Sequence, residues 1–359
     1  MLTEPLRPSA RATARARLCA ALLACLLLGG CGTTYLLQAA AGEYHVMHAR
    51  VPIDRVIADP HTPPALRQRL ELVRAARNFA SADLGLPDNK SYRTYADIGR
   101  PYVVWNVVAT PEFSLTPLEW CFPIAGCVNY RGYFHEASAA RFAAKLHRKG
   151  DDVAIDGVPA YSTLGKLADP VLSSMMRYGD DELVATIFHE LAHQLLYVEN
   201  DSAFNEAFAT TVEDAGLERW LARVGTPARL QEFRADAARE AAFVRLLSGA
   251  SRRLAALYAS HLAPQTMRER KQQQLDALAS EIRAFEQQQD VSWPLYDDWL
   301  GQGLNNARLA SVATYYDCVP GFQRLLARED GDLERFYAAV RALAKMPLAQ
   351  RHARLCSSS

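Results

Sequence analysis

The sequence predicts an α+β fold that is mostly helical. Runs of β-branched and aromatic residues, which are typical of strands, cluster in the first half of the chain, whereas helical periodicity dominates the second half. Half of the 359 residues are apolar, which is enough to bury a large core. The 40 basic and 40 acidic residues cancel, so the composition offers no electrostatic case for binding nucleic acid.

Residues 1–30 have the pattern of a secretory signal peptide. Arginines precede an apolar run over 18–28, which at about 11 residues is too short to span a bilayer. The run ends in L-G-G-C at 28–31, which resembles a bacterial lipobox; the alternative is a buried cysteine after a signal cleaved elsewhere. We therefore expect Cys31 to be lipidated and to anchor the protein to a membrane in the cell envelope. Glycine at position 32, instead of aspartate, resembles the pattern of lipoproteins sent to the outer membrane, where the protein would face the periplasm.

Four cysteines follow Cys31. An even number in an oxidising compartment favours disulfides. The proline and glycine between Cys121 and Cys127 would turn the chain and bring the two thiols together, so we predict a local disulfide; two buried free thiols are the alternative. A zinc site at this pair is unfavourable, because the spacing is wrong and no histidine lies nearby at ligand spacing. A Cys318–Cys356 pair stays open, since connectivity does not follow from sequence.

In chain order, the predicted strands come before most of the helices. Residues 31–60 are small and mostly apolar and end in prolines, which predicts a lipid-anchored tether with a first helix. The spacing of apolar residues predicts helices at 66–84 and 137–149 and strands at 102–108, 130–134 and 153–155, with an extended stretch at 158–164. It then predicts helices at 180–197 and 203–224 and a polar helical arm at about 228–290, which favours a helical hairpin. We therefore expect one globular domain over 61–359.

The motif H-E-L-A-H at 189–193 is the strongest chemical signal in the chain. His189 and His193 are four residues apart on one helix, so they project from one face about one turn apart, as two imidazole ligands of a tetrahedral zinc ion do. Glu190 is adjacent to the first histidine, where its carboxylate can reach a zinc-bound water. We expect the third ligand at Glu206, because an antiparallel helix pair would return the first turn of the next helix to His193. The alternative for Glu206 is a helix N-terminal acid stabilised by the dipole.

This pattern resembles the gluzincin metallopeptidases, in which H-E-x-x-H is followed on the next helix by N-E-x-x-A, here over 205–209. A metzincin is excluded, because the positions of its glycine and third histidine are Leu196 and Glu199. With its lipobox, the mature chain resembles the bacterial lipoprotein family of zinc aminopeptidases, although it lacks the G-A-M-E-N exopeptidase motif. The resemblance implies a gluzincin-like zinc-helix core with a small upstream sheet and a helical arm. It also implies one Zn²⁺ per chain and a peptide substrate with a free N-terminus.

The resemblance further implies hydrolysis by zinc-activated water, with Glu190 as the general base. The oxyanion needs a second donor, and the resemblance suggests a Tyr or His outside the metal helix; the candidates are Tyr315 and Tyr316. The stretch 158–164 would pair with the substrate, as the edge strand does in this clan. Glu213 is either a partner of a ligand histidine or a solvated acid. Three acids could bind the substrate amine, and the sequence does not choose among Asp156, Asp169 and Glu199.

Two other functions compete with an aminopeptidase. The first is a non-catalytic envelope lipoprotein in which zinc only stabilises the fold. Structural zinc sites usually have four protein ligands and are rich in cysteine, whereas this motif supplies three ligands and an intact Glu190. The second is an endopeptidase or amidase that acts on cell-envelope peptides. Hydrolysis of free against N-blocked peptides would separate these functions.

Overall fold

The computed structural model describes residues 32–122, 126–289 and 300–356. Its architecture is α+β and mostly helical, which confirms the predicted fold class. The predicted signal peptide and the predicted lipidation site Cys31 lie outside the described residues. Among the described helices, none is both long enough and apolar enough to cross a membrane.

The chain divides into two units, Met1–His48 and Ala49–Ser359. The described part of the first unit is helix α1 (Gly32–His48). This helix corresponds to the first helix predicted after the lipobox, and it exposes Leu37 and Tyr44.

The second unit begins with short strands and three helices. In order these are β1 (Arg50–Pro52), α2 (Ile53–Ala58), α3 (Pro64–Ala82), β2 (Thr94–Ala96), β3 (Val104–Thr110), β4 (Trp120–Phe122), β5 (Gly126–Val128), β6 (Arg131–Tyr133), α4 (Glu136–His147), β7 (Asp152–Val158) and β8 (Val171–Leu172). One sheet has the order β1–β2–β8, and β4 and β5 form a hairpin. The order β6–β3–β7 defines the central sheet, which is antiparallel throughout.

The rest of this unit is helical. After a 3₁₀ turn at Ser173–Arg177, the elements are α5 (Asp180–Leu195), α6 (Ser202–Val224), α7 (Pro227–Tyr258), α8 (Pro264–Gln287), α9 (Asn306–Tyr316), α10 (Val319–Arg328), α11 (Leu333–Ala344) and α12 (Leu348–Leu355). The two helices expected to carry the zinc ligands are therefore α5 and α6, and the predicted arm is α7 and α8.

The central sheet lies between α4 and α9. Directly paired residues on antiparallel strands share a face, so Val108 and Ala154 point to one side, where they pack against Ala307 of α9. Tyr133 points to the other side, where its ring centre lies 5.6 Å from that of Phe142 in α4. Within the described part of the chain, β7 pairs only with β3, so β7 is one edge of this sheet.

Helices α5 and α6 pack against each other across a short loop. The apolar stripe of α5 is buried at helical spacing, with Leu183, Ile187 and Leu191 each no more than 1% exposed. Helix α6 begins after Asp201, whose carboxylate caps the helix by accepting a hydrogen bond from the Phe204 N–H. A side chain therefore defines where α6 starts.

The C-terminal helix holds this cap in place. Arg351 of α12 donates to one oxygen of the Asp201 carboxylate, and His352 Nε2 lies 2.8 Å from the other oxygen. A disulfide joins Cys318 to Cys356, a pairing that the sequence left open. The end of the chain is thus tied both to α10 and to the first turn of α6.

Helices α7 and α8 form a helical hairpin that packs against the sheet and α9. Leu254 and Leu278 lie in the hairpin core together with Leu309 of α9. Lys271 Nζ of α8 lies 2.6 Å from Asp152 Oδ2 of β7. The arm therefore supports α9, which carries both candidate tyrosines.

Candidate metal centre and active site

Three side chains from α5 and α6 converge on one point, and these three residues, His189, His193 and Glu206, form the candidate metal group. His189 and His193 lie one turn apart on α5, and their Nε2 atoms are 3.1 Å apart. Glu206 Oε2, from the first turns of α6, is 3.4 Å from His189 Nε2 and 3.6 Å from His193 Nε2. All three residues are at least half-buried, with side-chain exposures of 9–15%.

This donor set fits a zinc ion. Ligand atoms at about 2.0–2.1 Å from a tetrahedral ion are about 3.3–3.4 Å from one another. The three distances between the Nε2 and Oε2 atoms, 3.1, 3.4 and 3.6 Å, lie on either side of that value. Two histidines and one glutamate are also a ligand set that catalytic zinc sites use, with a fourth position left for water or substrate.

The ionisation of Glu206 is coupled to that of His189. Burial alone would raise the pKa of Glu206, but the imidazoles of His193 and His189 lower it to about 2. Burial alone would lower the pKa of His189, but hydrogen bonds to Glu206 and Glu213 raise it well above its ordinary value. The Glu206 carboxylate and the His189 imidazole therefore favour each other's charged forms.

Glu213 contacts the outer nitrogen of a histidine in this group. It lies seven residues after Glu206, on the same face of α6, and its Oε2 atom is 2.8 Å from His189 Nδ1. A carboxylate that accepts from Nδ1–H orients the ring and leaves Nε2 unprotonated for a metal. The sequence left open whether Glu213 contacts a histidine of the motif or is a solvated acid. In the structure Glu213 contacts His189.

The loop between α5 and α6 is fixed by Asn205. Its Oδ1 accepts from the Val198 N–H at 2.8 Å, and its Nδ2 donates to the Val198 carbonyl at 2.7 Å. Tyr197 precedes Val198 in this loop, and burial, followed by the carboxylates of Glu206 and Glu199, raises the pKa of Tyr197 to about 12. Sequence reasoning missed Tyr197, because nothing in the motif spacing singles out a loop residue.

The disulfide-closed hairpin contacts the same loop. Cys121 and Cys127 are bonded across the β4–β5 pair. The Cys127 N–H donates to Asn200 Oδ1 at 2.7 Å. Gly126 has φ +72°, and a Cβ there would lie 2.6 Å from Asn200 Oδ1, so only glycine allows this approach. The hairpin therefore braces the α5–α6 loop.

Glu190 is directed inward, next to the metal group. It is 9% exposed, and burial raises its pKa. Beside it lies Tyr92, which is 1% exposed and has a left-handed backbone with φ 59°; burial, and then the Glu190 carboxylate, raise the pKa of Tyr92. Arg77 holds the loop that presents Tyr92 by donating to the carbonyls of Pro87 and Ser91. No sequence pattern pointed to Tyr92.

The structure separates the two candidate tyrosines. The carboxylate of Glu206, followed by burial, raises the pKa of Tyr315 well above its ordinary value, and Glu190 adds to this rise. The Tyr316 hydroxyl instead donates to Glu240 of α7 at 2.5 Å. Tyr316 therefore links α9 to the arm.

Of the extended stretch at 158–164 that was expected to pair with substrate, only Val158 lies in a strand. The edge strand is β7, which ends at Val158, and the chain beyond it turns. Thr163 in that turn donates through its N–H and its hydroxyl to the Asp169 carboxylate, at 3.1 and 2.7 Å. The edge available for pairing is therefore the strand that carries Asp156.

A protein family matches most of the chain. No curated protein and no solved structure matches the chain. The profile of the family described as "Putative aminopeptidase" matches residues 34–355. Because this match covers most of the 359 residues, the chain belongs to that aminopeptidase family.

Proposed function

We propose that the protein is a zinc-dependent aminopeptidase of the gluzincin type. The observation that carries this proposal is the convergence of His189, His193 and Glu206, whose ligand atoms are spaced as a tetrahedral zinc ion requires. Membership of an aminopeptidase family supports the reaction class.

One Zn²⁺ per chain would be held by His189, His193 and Glu206, with Glu213 orienting His189. When bound, zinc supplies a Lewis acid that polarises the scissile carbonyl and acidifies water. A site with three protein ligands leaves room for substrate, which favours a catalytic over a structural role.

The chain's own residues account for the proton transfers. The Glu190 carboxylate takes a proton from the attacking water and delivers it to the nitrogen of the leaving amine. The burial of Glu190 suits this role, because it raises the pKa of the carboxyl group towards pH 7, where a general base works best. The Tyr315 hydroxyl donates a hydrogen bond to the developing oxyanion. The outer edge of β7 binds the substrate backbone by strand addition.

The site of action in this proposal is the bacterial cell envelope. Lipid at Cys31 would anchor the mature chain to the outer membrane, facing the periplasm. Two disulfides within the described residues, Cys121–Cys127 and Cys318–Cys356, support an oxidising compartment.

The change Glu190→Gln tests the proposal. Glutamine is isosteric and a good helix former, so fold and zinc content should be retained. Because an amide cannot accept the proton, turnover of aminoacyl amides with a free amine should fall by about two orders of magnitude or more. Glu182→Gln, on the same helix but outside the ligand set, is the matched control and should keep activity.

Three results would contradict parts of the proposed function. Equal rates in wild type and Glu190→Gln would exclude Glu190 as the base. Cleavage of N-acetylated peptides by the wild type would favour an endopeptidase or amidase. Zinc binding without turnover across a broad peptide panel would favour a non-catalytic lipoprotein.

A further inference from the structure

We propose that one face of helix α1 lies in the surface of a lipid bilayer, so that the protein contacts the membrane through a helix as well as through a lipid. This proposal goes beyond the peptidase reaction. It rests on the lipid anchor at Cys31 that is part of the proposed function.

The exposed side of α1 carries no Asp, Glu, Lys or Arg. Successive residues of an α-helix are turned by about 100°, and at that spacing the exposed residues of α1 fill one continuous half of the helix. The members of this face are Thr34, Leu36, Leu37, Ala40, Ala41, Tyr44, His45 and His48. The three large apolar side chains on it, Leu36, Leu37 and Tyr44, are 47%, 70% and 59% exposed. We call these eight residues the membrane face.

The polarity of α1 is the reverse of that of a helix that faces water. A surface helix of a globular protein directs its charged residues to the solvent and its apolar residues inward. In α1 the one charged residue, Glu43, is half-buried on the side opposite the membrane face, where Gly42 and Val46 are buried. The composition of the membrane face therefore suits a medium less polar than water.

The predicted lipid would place such a medium beside α1. The helix begins at Gly32, directly after the predicted lipidation site Cys31, which lies outside the described residues. Acyl chains on Cys31 would hold the start of α1 at the bilayer surface. At 1.5 Å per residue, Leu37 lies about 8 Å and Tyr44 about 18 Å along the axis from Gly32. A helix lying flat would thus bring the whole membrane face into contact with lipid.

The dimensions and charge of the membrane face fit a bilayer better than a second copy of the chain. A stable protein interface buries about 800 Å² on each partner, whereas this face offers three large apolar side chains on one helix. Helices in the bilayer interface bury their apolar side about 5–10 Å deep, and the apolar ring and polar hydroxyl of tyrosine suit that depth. Because α1 has no Lys or Arg, its docking should depend little on salt or on anionic lipid.

The test uses the acylated mature chain in vesicles of phosphatidylethanolamine and phosphatidylglycerol, with an environment-sensitive fluorophore on an introduced cysteine. The four native cysteines after Cys31 form disulfides, so the label reacts with the added thiol. Ala41→Cys puts the label in the membrane face, about 14 Å along the axis from Gly32, and keeps the three large apolar side chains. Leu348→Cys, at a leucine of α12 that is 47% exposed, is the matched control.

We expect the Ala41→Cys label to emit at shorter wavelength than the control and to resist quenching by aqueous iodide, at low and at high salt. A helix standing upright on its anchor would instead keep this label in water. Adding Leu36→Ser and Leu37→Ser to the labelled chain removes two large apolar side chains from the face. The ratio of docked to undocked helix should then fall about 10- to 100-fold, while the protein still floats with the vesicles.

Three outcomes overturn the proposal. Protein that floats with the vesicles but leaves the Ala41→Cys label as open to iodide as the control refutes docking of α1 and retains the anchor. Protein that does not float refutes the anchor and the docking together. Protection of the label that increases with protein density in the vesicles assigns the face to a second copy of the chain. Peptide turnover is not part of the readout, so failure of the proposed reaction leaves this test unaffected.

Discussion

Replacing Glu213 by alanine should weaken zinc binding about 10- to 100-fold. Glu213 Oε2 lies 2.8 Å from His189 Nδ1. Because an ionised carboxylate can only accept, Nδ1 carries the hydrogen and Nε2 keeps a lone pair for the metal. Without Glu213 the imidazole can rotate and adopt the other tautomer, so part of the binding free energy is lost in reordering it.

The magnitude follows from the burial of the pair. The His189 side chain is 15% exposed and that of Glu213 is 29% exposed, so water only partly screens their hydrogen bond. A hydrogen bond to a charged group contributes about 1.5–3 kcal/mol, which corresponds to a factor of roughly 10 to 100 in the dissociation constant. Glu213→Gln keeps an acceptor and loses only the charge, so we expect about tenfold weaker binding.

Competition with a chromogenic chelator measures the zinc dissociation constant of each variant. Glu218→Gln is the matched control, because Glu218 lies on the same helix and pairs with Arg234 at the surface. Circular dichroism confirms that the helices persist. Wild-type zinc affinity in Glu213→Ala would refute the reasoning, since His189 would then need no carboxylate to bind the metal.

Three further predictions concern a disulfide, a buried ion pair and the lipid anchor. The double change Cys318→Ser/Cys356→Ser opens a loop with a sequence separation of 38, so urea unfolding should show a loss of about 4 kcal/mol; an unchanged midpoint contradicts this. Asp201→Asn keeps the helix cap but breaks a buried pair, which should cost about 3 kcal/mol at pH 7. Burial would raise the pKa of Asp201, but hydrogen bonds from His352 and Arg351 lower it. The ionised carboxylate therefore stabilises the fold, and the loss of stability in Asp201→Asn should be full above the ordinary pKa of 3.8. This loss should vanish as the pH falls through the lowered pKa of Asp201. A loss that persists in acid would point to packing instead. Cys31→Ser should release the protein from the membrane fraction or block its processing, and wild-type protein found entirely in the soluble periplasmic fraction would exclude the anchor.

The sequence predicted helices better than the ends of strands. The helix expected at 180–197 is α5 (Asp180–Leu195), because a helix is built from contacts three and four residues apart. The strand expected at 153–155 is longer, and it includes Val158, the first residue of the extended stretch expected at 158–164. Strand β7 ends at Val158 because Val158 pairs with Val104, the first residue of β3. The limit of a strand is set by its partner, which local spacing does not reveal.

The pairing of the two histidines could be predicted from sequence for the same reason, because it depends on local spacing. Residues four apart on a helix share a face, so the pairing of His189 with His193 follows from spacing alone. The contact of Glu213 with His189 depends on how α5 packs against α6, and the sequence therefore left it open.

The sequence by itself determined a mostly helical α+β chain and the two imidazoles presented by α5, because both depend on contacts within a few residues. Only the tertiary structure decided the surroundings of the two candidate tyrosines. Tyr315 and Tyr316 are adjacent, so they point about 100° apart around α9, and either could have contacted the arm. The packing of α9 against α6 and the central sheet fixes its rotation, so that Tyr316 bonds to Glu240 while Tyr315 is the one whose pKa Glu206 raises. Rotation of a helix about its axis is set by what surrounds it, and that information is not local.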